Sequence, residues 1–283
     1  MPGILENRVA IITGASRGIG AAIALRFAAE GARVVITART VQPDGKLPGS
    51  LEETAARIRA LGAQCLCVQA DLGDPVDRAR IVPEAIAHFG GVDVLVNNAA
   101  WARFRPTVKQ APKDTRLAFE INYFAPLELS QQAIPSMAER GGGWILNLSS
   151  ATSNHPAPAP YDTANRYFQF HVHSGPTLYG STKAALERMS AGLAAELAAQ
   201  RIAVNTLAPV EAVASEGALE TGTIDAGAHM EPVEAMAEAA LALCSRPPEQ
   251  LSGRCVLSLP LLRELGVGVR TLDGREPLEG FML

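Results

Sequence analysis

The chain lacks an excess of positive charge: 25 lysines and arginines are set against 29 aspartates and glutamates, a formal net charge of −4. Without a basic surplus it offers no broad electrostatic surface for nucleic acid. Aromatic residues make up only 5% of the sequence, which argues against a stacking platform for single strands. No apolar run approaches the ~20 residues that cross a bilayer, so no membrane segment is expected. The opening MPGILENR has an acid where a secretory leader has basic residues, and the closing Phe-Met-Leu is not a peroxisomal address. Cysteine is scarce, with four residues at 65, 67, 244 and 255. Their spacing suits no zinc site, and they read as reduced thiols of a cytoplasmic protein. What the chain does have is 48% hydrophobic residues and a modest 19% charged fraction, the composition of a folded domain rather than a disordered one.

Apolar segments alternate between two periods. Short strand-like runs at 8–12, 34–36, 64–70, 92–96, 144–148, 202–207 and 255–257 are separated by helical patterns at 19–28, 51–61, 75–89, 113–138, 178–200 and 233–244. Many of the strand runs are β-branched and continuous, as in a parallel sheet covered on both faces. Right-handed crossovers then predict an α/β doubly wound Rossmann fold, mostly parallel and about seven-stranded. No internal repeat or low-complexity linker divides the chain, so 1–283 is read as a single domain. Two segments stand outside the rhythm. Residues 151–176, rich in proline and aromatics, carry neither period and are expected to be a long loop. The tail at 259–283 contains Leu261, Leu262 and Leu265, which suggest packing against the body or a partner subunit.

Between the first strand and first helix lies Thr13-Gly-Ala-Ser-Arg-Gly-Ile-Gly20. Glycines let the backbone approach a pyrophosphate, and the helix N-terminus supplies free N–H groups and positive dipole. Gly14, Ser16, Arg17, Gly18, Ile19 and Gly20 are therefore candidates for cofactor binding. The spacing differs from the G-x-G-x-x-G fingerprint, and a plain glycine-rich turn or a methyltransferase loop would also carry such glycines. The next strand ends at Ala38-Arg39, with no acid from Ala32 through Gln42. An acid there would bind ribose hydroxyls, whereas arginine suits a 2′-phosphate. Arg39 and Arg17 are the phosphate candidates, and NADP is favoured over NAD.

With the glycine turn, Asp71 after the third strand, Asn-Asn-Ala-Ala at 97–100, Asn122, the pair Ser149-Ser150 and Tyr179-x-x-x-Lys183, the chain resembles the short-chain dehydrogenase/reductase family. These features occur in the family's order up to about residue 258. The loop ARTVQPDGKLPGS and the stretch around AMAEAALAL are more narrowly similar to the hydroxysteroid-dehydrogenase-like branch. The resemblance implies a Tyr179 that exchanges a proton with substrate while hydride moves to or from nicotinamide, and a Lys183 that steadies that tyrosine and holds the nicotinamide ribose. Tyr179 and Lys183, four apart on a helix, share a face. A tyrosine titrates near 10, so bringing it towards 7 needs about 4 kcal/mol of phenolate stabilisation, from the lysine and an oxidised nicotinamide together. The resemblance further implies Ser150 beside the reacting carbonyl, with Ser149 as the alternative. It implies Asn122 holding a relay water, and Asp71, Leu72 and Asn98 lining the adenosine side.

Two features depart from the family. The usual proline-glycine is Pro209-Val210, and the expected threonine is replaced by Ala214 followed by Ser215. Backbone at Val210 and Val213 is left to meet the carboxamide. The stretch from Ser150 to Tyr179 is also longer than usual, which places His155, Tyr161, Tyr167, Phe168, Phe170, His171 and His173 over the site. An aromatic lid there suits a hydrophobic substrate, and an oligomer contact or a disordered loop is the equal alternative. His171 and His173 would share one face of an extended segment but have no third ligand at metal spacing, so no metal is expected. The leading reading is an alcohol/ketone oxidoreductase using NADP. An NADP-binding sensor with little chemistry is the alternative. The resemblance implies a homodimer or homotetramer through the helices at 113–138 and 178–200.

Overall fold

A computed structural model describes residues 3–43, 48–210, 212–213 and 230–283. Its frame follows from which segments can bury both faces. Strands β1 (Val9–Thr13), β2 (Arg33–Ala38), β3 (Cys65–Gln69), β4 (Val94–Asn97), β5 (Gly143–Leu148) and β6 (Ile202–Ala208) are joined by β7 (Ala212–Val213), β8 (Met230–Glu231) and β9 (Cys255–Leu257). Seven of them form one sheet in the order β3-β2-β1-β4-β5-β6-β9, every pairing parallel, and β7 and β8 form a separate parallel pair. The order reverses between β1 and β4, and at such a switch point the strand ends open a crevice for ligands.

Successive residues of a strand point to opposite faces, so each central strand feeds two cores. Ile12, Ile36 and Val94 pack on one side with helix α1 (Gly18–Ala29); Ile11, Val35 and Leu95 pack on the other with α3 (Pro75–Phe89). The first layer is completed by α2 (Leu51–Ala60), the second by α5 (Ala125–Glu139), which α4 (Pro112–Phe119) precedes. The single helix expected at 113–138 is interrupted: α4 and α5 are joined by a π-helical segment, Glu120–Phe124. Such widened turns gather at functional sites, and this one carries Asn122.

The segment 151–176 corrects the expectation of an irregular loop. It opens with a 3₁₀ turn, Ala151–Ser153, and contains α6 (Arg166–Ser174). Asn165 caps α6, its side-chain oxygen accepting from Tyr167 and Phe168 N–H at 2.9 and 3.1 Å, and Gly175 at φ +65° ends it. Nine residues are too few for a helical period to show against neighbouring prolines. On a helix, His171 and His173 project about 200° apart, so they do not share a face. α7 (Thr177–Glu196) follows, then α8 (Val233–Ser245) and α9 (Ser258–Leu265). The tail packs against the chain's own body. Leu261 and Leu262 are buried in the α1 layer, where Leu265, Leu278 and Phe281 also pack.

Candidate active site

The glycine turn is built for close approach. Gly14 and Gly18 lie at φ +68° and +58°, where a side chain would strain the backbone. A Cβ on Gly20 would fall 2.4 Å from the Gly14 carbonyl oxygen and 2.5 Å from Asn98 Nδ2. Asn98 clips this turn to the central strand, donating to Thr13 O at 2.9 Å and Gly14 O at 3.2 Å. Thr13, the first residue of the glycine motif, accepts from the Asn98 and Ala99 N–H groups through its hydroxyl, each at 3.0 Å.

A cavity of about 240 Å³ opens along this edge, with Arg39, Asp71, Trp101 and Ile121 in its lining. Of the candidate cofactor residues, Gly14, Ser16, Arg17, Arg39, Asp71, Leu72 and Asn98 line it. Gly18, Ile19, Gly20, Val210, Tyr179 and Lys183 do not. Ile19 packs against the apolar core instead. The two arginines differ. Arg17 is spent on the loop, its guanidinium donating to the Pro48 and Gly49 carbonyls at 2.7 Å each, so it is not a free phosphate ligand. The Arg39 side chain is 71% exposed, and its guanidinium lies 3.9 Å from the Asp71 carboxylate. The Val210 N–H donates to Glu231 at 3.2 Å, and Glu231 also accepts from the Ser258 hydroxyl. That amide is therefore engaged rather than open to a carboxamide. Ala214 and Ser215 lie outside the described residues.

Beyond the cavity, α7 presents Tyr179 and Lys183 together, with Lys183 Nζ 5.6 Å from the Tyr179 ring centre. Lys183 is buried and donates to the Leu148 carbonyl at 2.6 Å. Burial lowers its pKa to about 8, partly opposed by nearby Glu187. Burial also pushes Tyr179 up to about 12. That is the opposite direction from a base poised near 7, so the chain's own residues do not lower this tyrosine. Its hydroxyl has no protein hydrogen bond among the described residues. Phe104 lies 5.7 Å from the Tyr179 ring and 5.7 Å from Phe170 on α6. The helix of the 151–176 segment therefore reaches the tyrosine through one intervening ring. The Arg105 N–H donates to the Gly175 carbonyl at 3.1 Å, holding the loop of Phe104 against the end of α6. No sequence signal marked Phe104, because its contacts are all made across the chain.

The serines part as adjacent strand-end residues should. Ser149 is buried, its hydroxyl donating to Glu187 at 2.5 Å. Ser150 is half-buried, and its hydroxyl oxygen accepts from the Thr152 N–H and hydroxyl at 3.2 and 3.0 Å, leaving its proton uncommitted. Asn122 is fully buried. Its amide donates to Trp101 O at 2.9 Å and Thr182 Oγ1 at 3.0 Å, and its oxygen accepts from Trp101 N–H at 2.8 Å. It therefore ties the π turn to α7 beside Lys183, with both amide protons taken by protein rather than by a water.

Residues 8–164 match the sequence profile of short chain dehydrogenases. The chain belongs to the short-chain dehydrogenase/reductase family. Within it the chain falls in the hydroxysteroid-dehydrogenase-like branch: it is 34% identical over 265 residues to hydroxysteroid dehydrogenase-like protein 2 of Danio rerio, covering 94% of this chain. It spans 60% of the length of that relative. A short chain dehydrogenase from Mycobacterium thermoresistibile superposes with a TM-score of 0.79 at 32% identity, covering 93% of this chain and 89% of the other. A 7α-hydroxysteroid dehydrogenase complexed with NADH and 7-oxo glycochenodeoxycholic acid superposes with a TM-score of 0.75 at 30% identity, covering 89% and 93%. As a short-chain dehydrogenase, the chain has the fold of an NAD(P)-dependent oxidoreductase for small molecules. No helix among its described residues is long and apolar enough to cross a membrane.

Proposed function

We propose that this short-chain dehydrogenase is an NADP-dependent alcohol/ketone oxidoreductase acting on a hydrophobic substrate. The observation that carries the reading is the grouping of Tyr179, whose hydroxyl has no protein hydrogen bond among the described residues, with buried Lys183 on α7 and Ser150 on the adjoining turn. The glycine turn fits a dinucleotide: Gly14, at φ +68°, brings bare backbone to the cavity, and Ser16, Arg39 and Asp71 line it with polar groups. Bound there, the cofactor supplies hydride to the carbonyl carbon or takes it from the alcohol. The protein handles the proton. In reduction, Tyr179, protonated at neutral pH by its raised pKa, donates to the carbonyl oxygen. The Ser150 hydroxyl donates a hydrogen bond to that oxygen as charge develops on it. Lys183, with a pKa of about 8, is mostly an ammonium at pH 7 and stabilises the phenolate left behind. Asn122 fixes the π turn against α7.

Arg39 favours NADP: it stands at the end of β2 with a largely solvent-exposed guanidinium. The NADH-bound neighbour shows that family likeness does not choose between the two cofactors. Phe104 and Phe170 favour an apolar substrate. The exposed Leu117 and Phe124 on the α4–α5 stretch favour assembly into a homodimer or homotetramer. The four free thiols suit a reducing compartment such as the cytoplasm. A sensor that binds NADP without turnover draws on Val210, whose amide is held by Glu231. The deciding experiment follows NADPH and NADH oxidation with ketones ranging from small aliphatics to steroids. Turnover with NADPH on bulky ketones supports the oxidoreductase. NADPH binding with no turnover across the panel supports the sensor.

A further inference from the structure

Helix α7 grips the exit of β5 at three heights along one face. Beside Tyr179, a Cβ on Gly180 would lie 2.3 Å from the Thr152 carbonyl oxygen, so the helix and the turn are in direct backbone contact. Farther along, Lys183 Nζ donates to the Leu148 carbonyl at 2.6 Å. One more turn on, a single oxygen of Glu187, Oε1, accepts from the hydroxyls of Ser149 at 2.5 Å and Ser153 at 2.7 Å. Positions 180, 183 and 187 recur at helical spacing, so one stripe of α7 makes all three contacts. Ser149 and Ser153 bracket the turn that carries Ser150. The Ser153 N–H donates to the Ser150 carbonyl at 3.0 Å and closes the turn on itself, while the Ser153 hydroxyl, 2.7 Å from both that carbonyl and Glu187, shares its one proton between them. The groups facing the Glu187 carboxyl are these two hydroxyls, the Lys183 ammonium on its own helix and the Cys255 thiol of β9.

We propose that Glu187 is a positioning residue: by bonding Ser149 and Ser153 to α7 it fixes the Ser150 hydroxyl in register with Tyr179 and Lys183 on the same helix. This rests on the oxidoreductase reading of Ser150 and Tyr179. It gives Ser149 a structural role and leaves Ser150 as the serine that meets substrate. The physical requirement is strict, because a displacement of ~1 Å from a productive arrangement costs roughly 10²-fold in rate. Both hydroxyls use one oxygen, so glutamine, which keeps a carbonyl oxygen there, preserves the clamp, and alanine removes it.

The test compares Glu187→Ala and Glu187→Gln in the full chain, by ketone-reduction kinetics, NADPH titration and hydrogen exchange of the 150–154 amides. In Glu187→Ala, kcat falls roughly 10- to 100-fold while the Kd for NADPH holds, and the 150–154 amides exchange faster. Glu187→Gln recovers both kcat and protection. If Glu187→Ala does not fold, the double variant Ser149→Ala, Ser153→Ala removes the same two bonds from the other side and carries the same expectation. Wild-type kcat and exchange after loss of the clamp overturn the proposal. So does a Glu187→Gln variant as slow as the alanine form, since charge rather than the shared bond would then be what matters. If the wild type reduces no ketone, the oxidoreductase reading fails separately. The clamp is then judged on exchange alone, and unchanged 150–154 protection in Glu187→Ala overturns it.

Discussion

Arg39→Ala should separate the two nicotinamide cofactors without disturbing the fold. The Arg39 side chain is 71% exposed, and its ion pair with Asp71 at 3.9 Å is on the surface, where such pairs contribute about 0–1 kcal/mol. Its removal therefore leaves Tm nearly unchanged. A 2′-phosphate would gain charge-assisted hydrogen bonds from this guanidinium worth about 1.5–3 kcal/mol, so NADPH should bind roughly 10- to 100-fold more weakly. NADH, which has a hydroxyl there, should bind as before. Because the site faces solvent, the NADPH penalty should shrink in high salt. Arg17→Ala is the internal contrast. Its guanidinium holds the Pro48 and Gly49 carbonyls, so its loss should loosen the loop and weaken both cofactors alike. Fluorescence titration of NADPH and NADH against the wild type and both variants checks this. Equal losses of the two cofactors in Arg39→Ala, or no loss of either, would refute the reasoning.

Other consequences follow from local packing. Gly20→Ala forces a Cβ against the Gly14 carbonyl and Asn98, and overpacking of this kind costs about 1–3 kcal/mol; thermal melts should show the loss together with weaker NADPH binding. Cys67 should be alkylated by iodoacetamide at lower pH than Cys65, because the adjacent Cys65 thiol and, after it, the Arg59 guanidinium lower its pKa to about 7. Cys65→Ala should move the labelling midpoint upward, and mass spectrometry that finds both thiols reacting only at alkaline pH would contradict that coupling. Phe104→Ala opens the ring contact between Tyr179 and α6. It should raise KM for bulky apolar ketones more than for small ones, a difference that vanishes if the 151–176 segment does not border the substrate.

Much of the frame was legible because it depends on local pattern. Ile11-Ile12 and Val34-Val35-Ile36 are buried on both faces, as continuous β-branched runs in a parallel sheet are. Tyr179 and Lys183 share a face because four residues make about one turn. What was not legible depends on partners distant in sequence. Arg17 and Arg39 look alike as phosphate ligands until the Pro48–Gly49 carbonyls claim one of them. Ser149 is set apart from Ser150 by its bond to Glu187, 38 residues on. That glutamate sits four positions after Lys183, a spacing that could have flagged it. The π segment at Glu120–Phe124 leaves no period of its own, and α6 is too short and too aromatic to announce itself. The raised Tyr179 pKa is a burial effect, which no spacing reveals.

The central claim is that Tyr179 supplies the proton, and Tyr179→Phe tests it most directly. The hydroxyl has no protein partner among the described residues, and the ring keeps its place beside Phe104. The variant should therefore fold and bind NADPH like the wild type. General acid catalysis contributes typically about 10²–10⁴-fold, so kcat for ketone reduction should fall by that factor, about 3–5.5 kcal/mol in barrier. A Tyr179→Phe enzyme that reduces the same ketone at the wild-type rate would contradict the account.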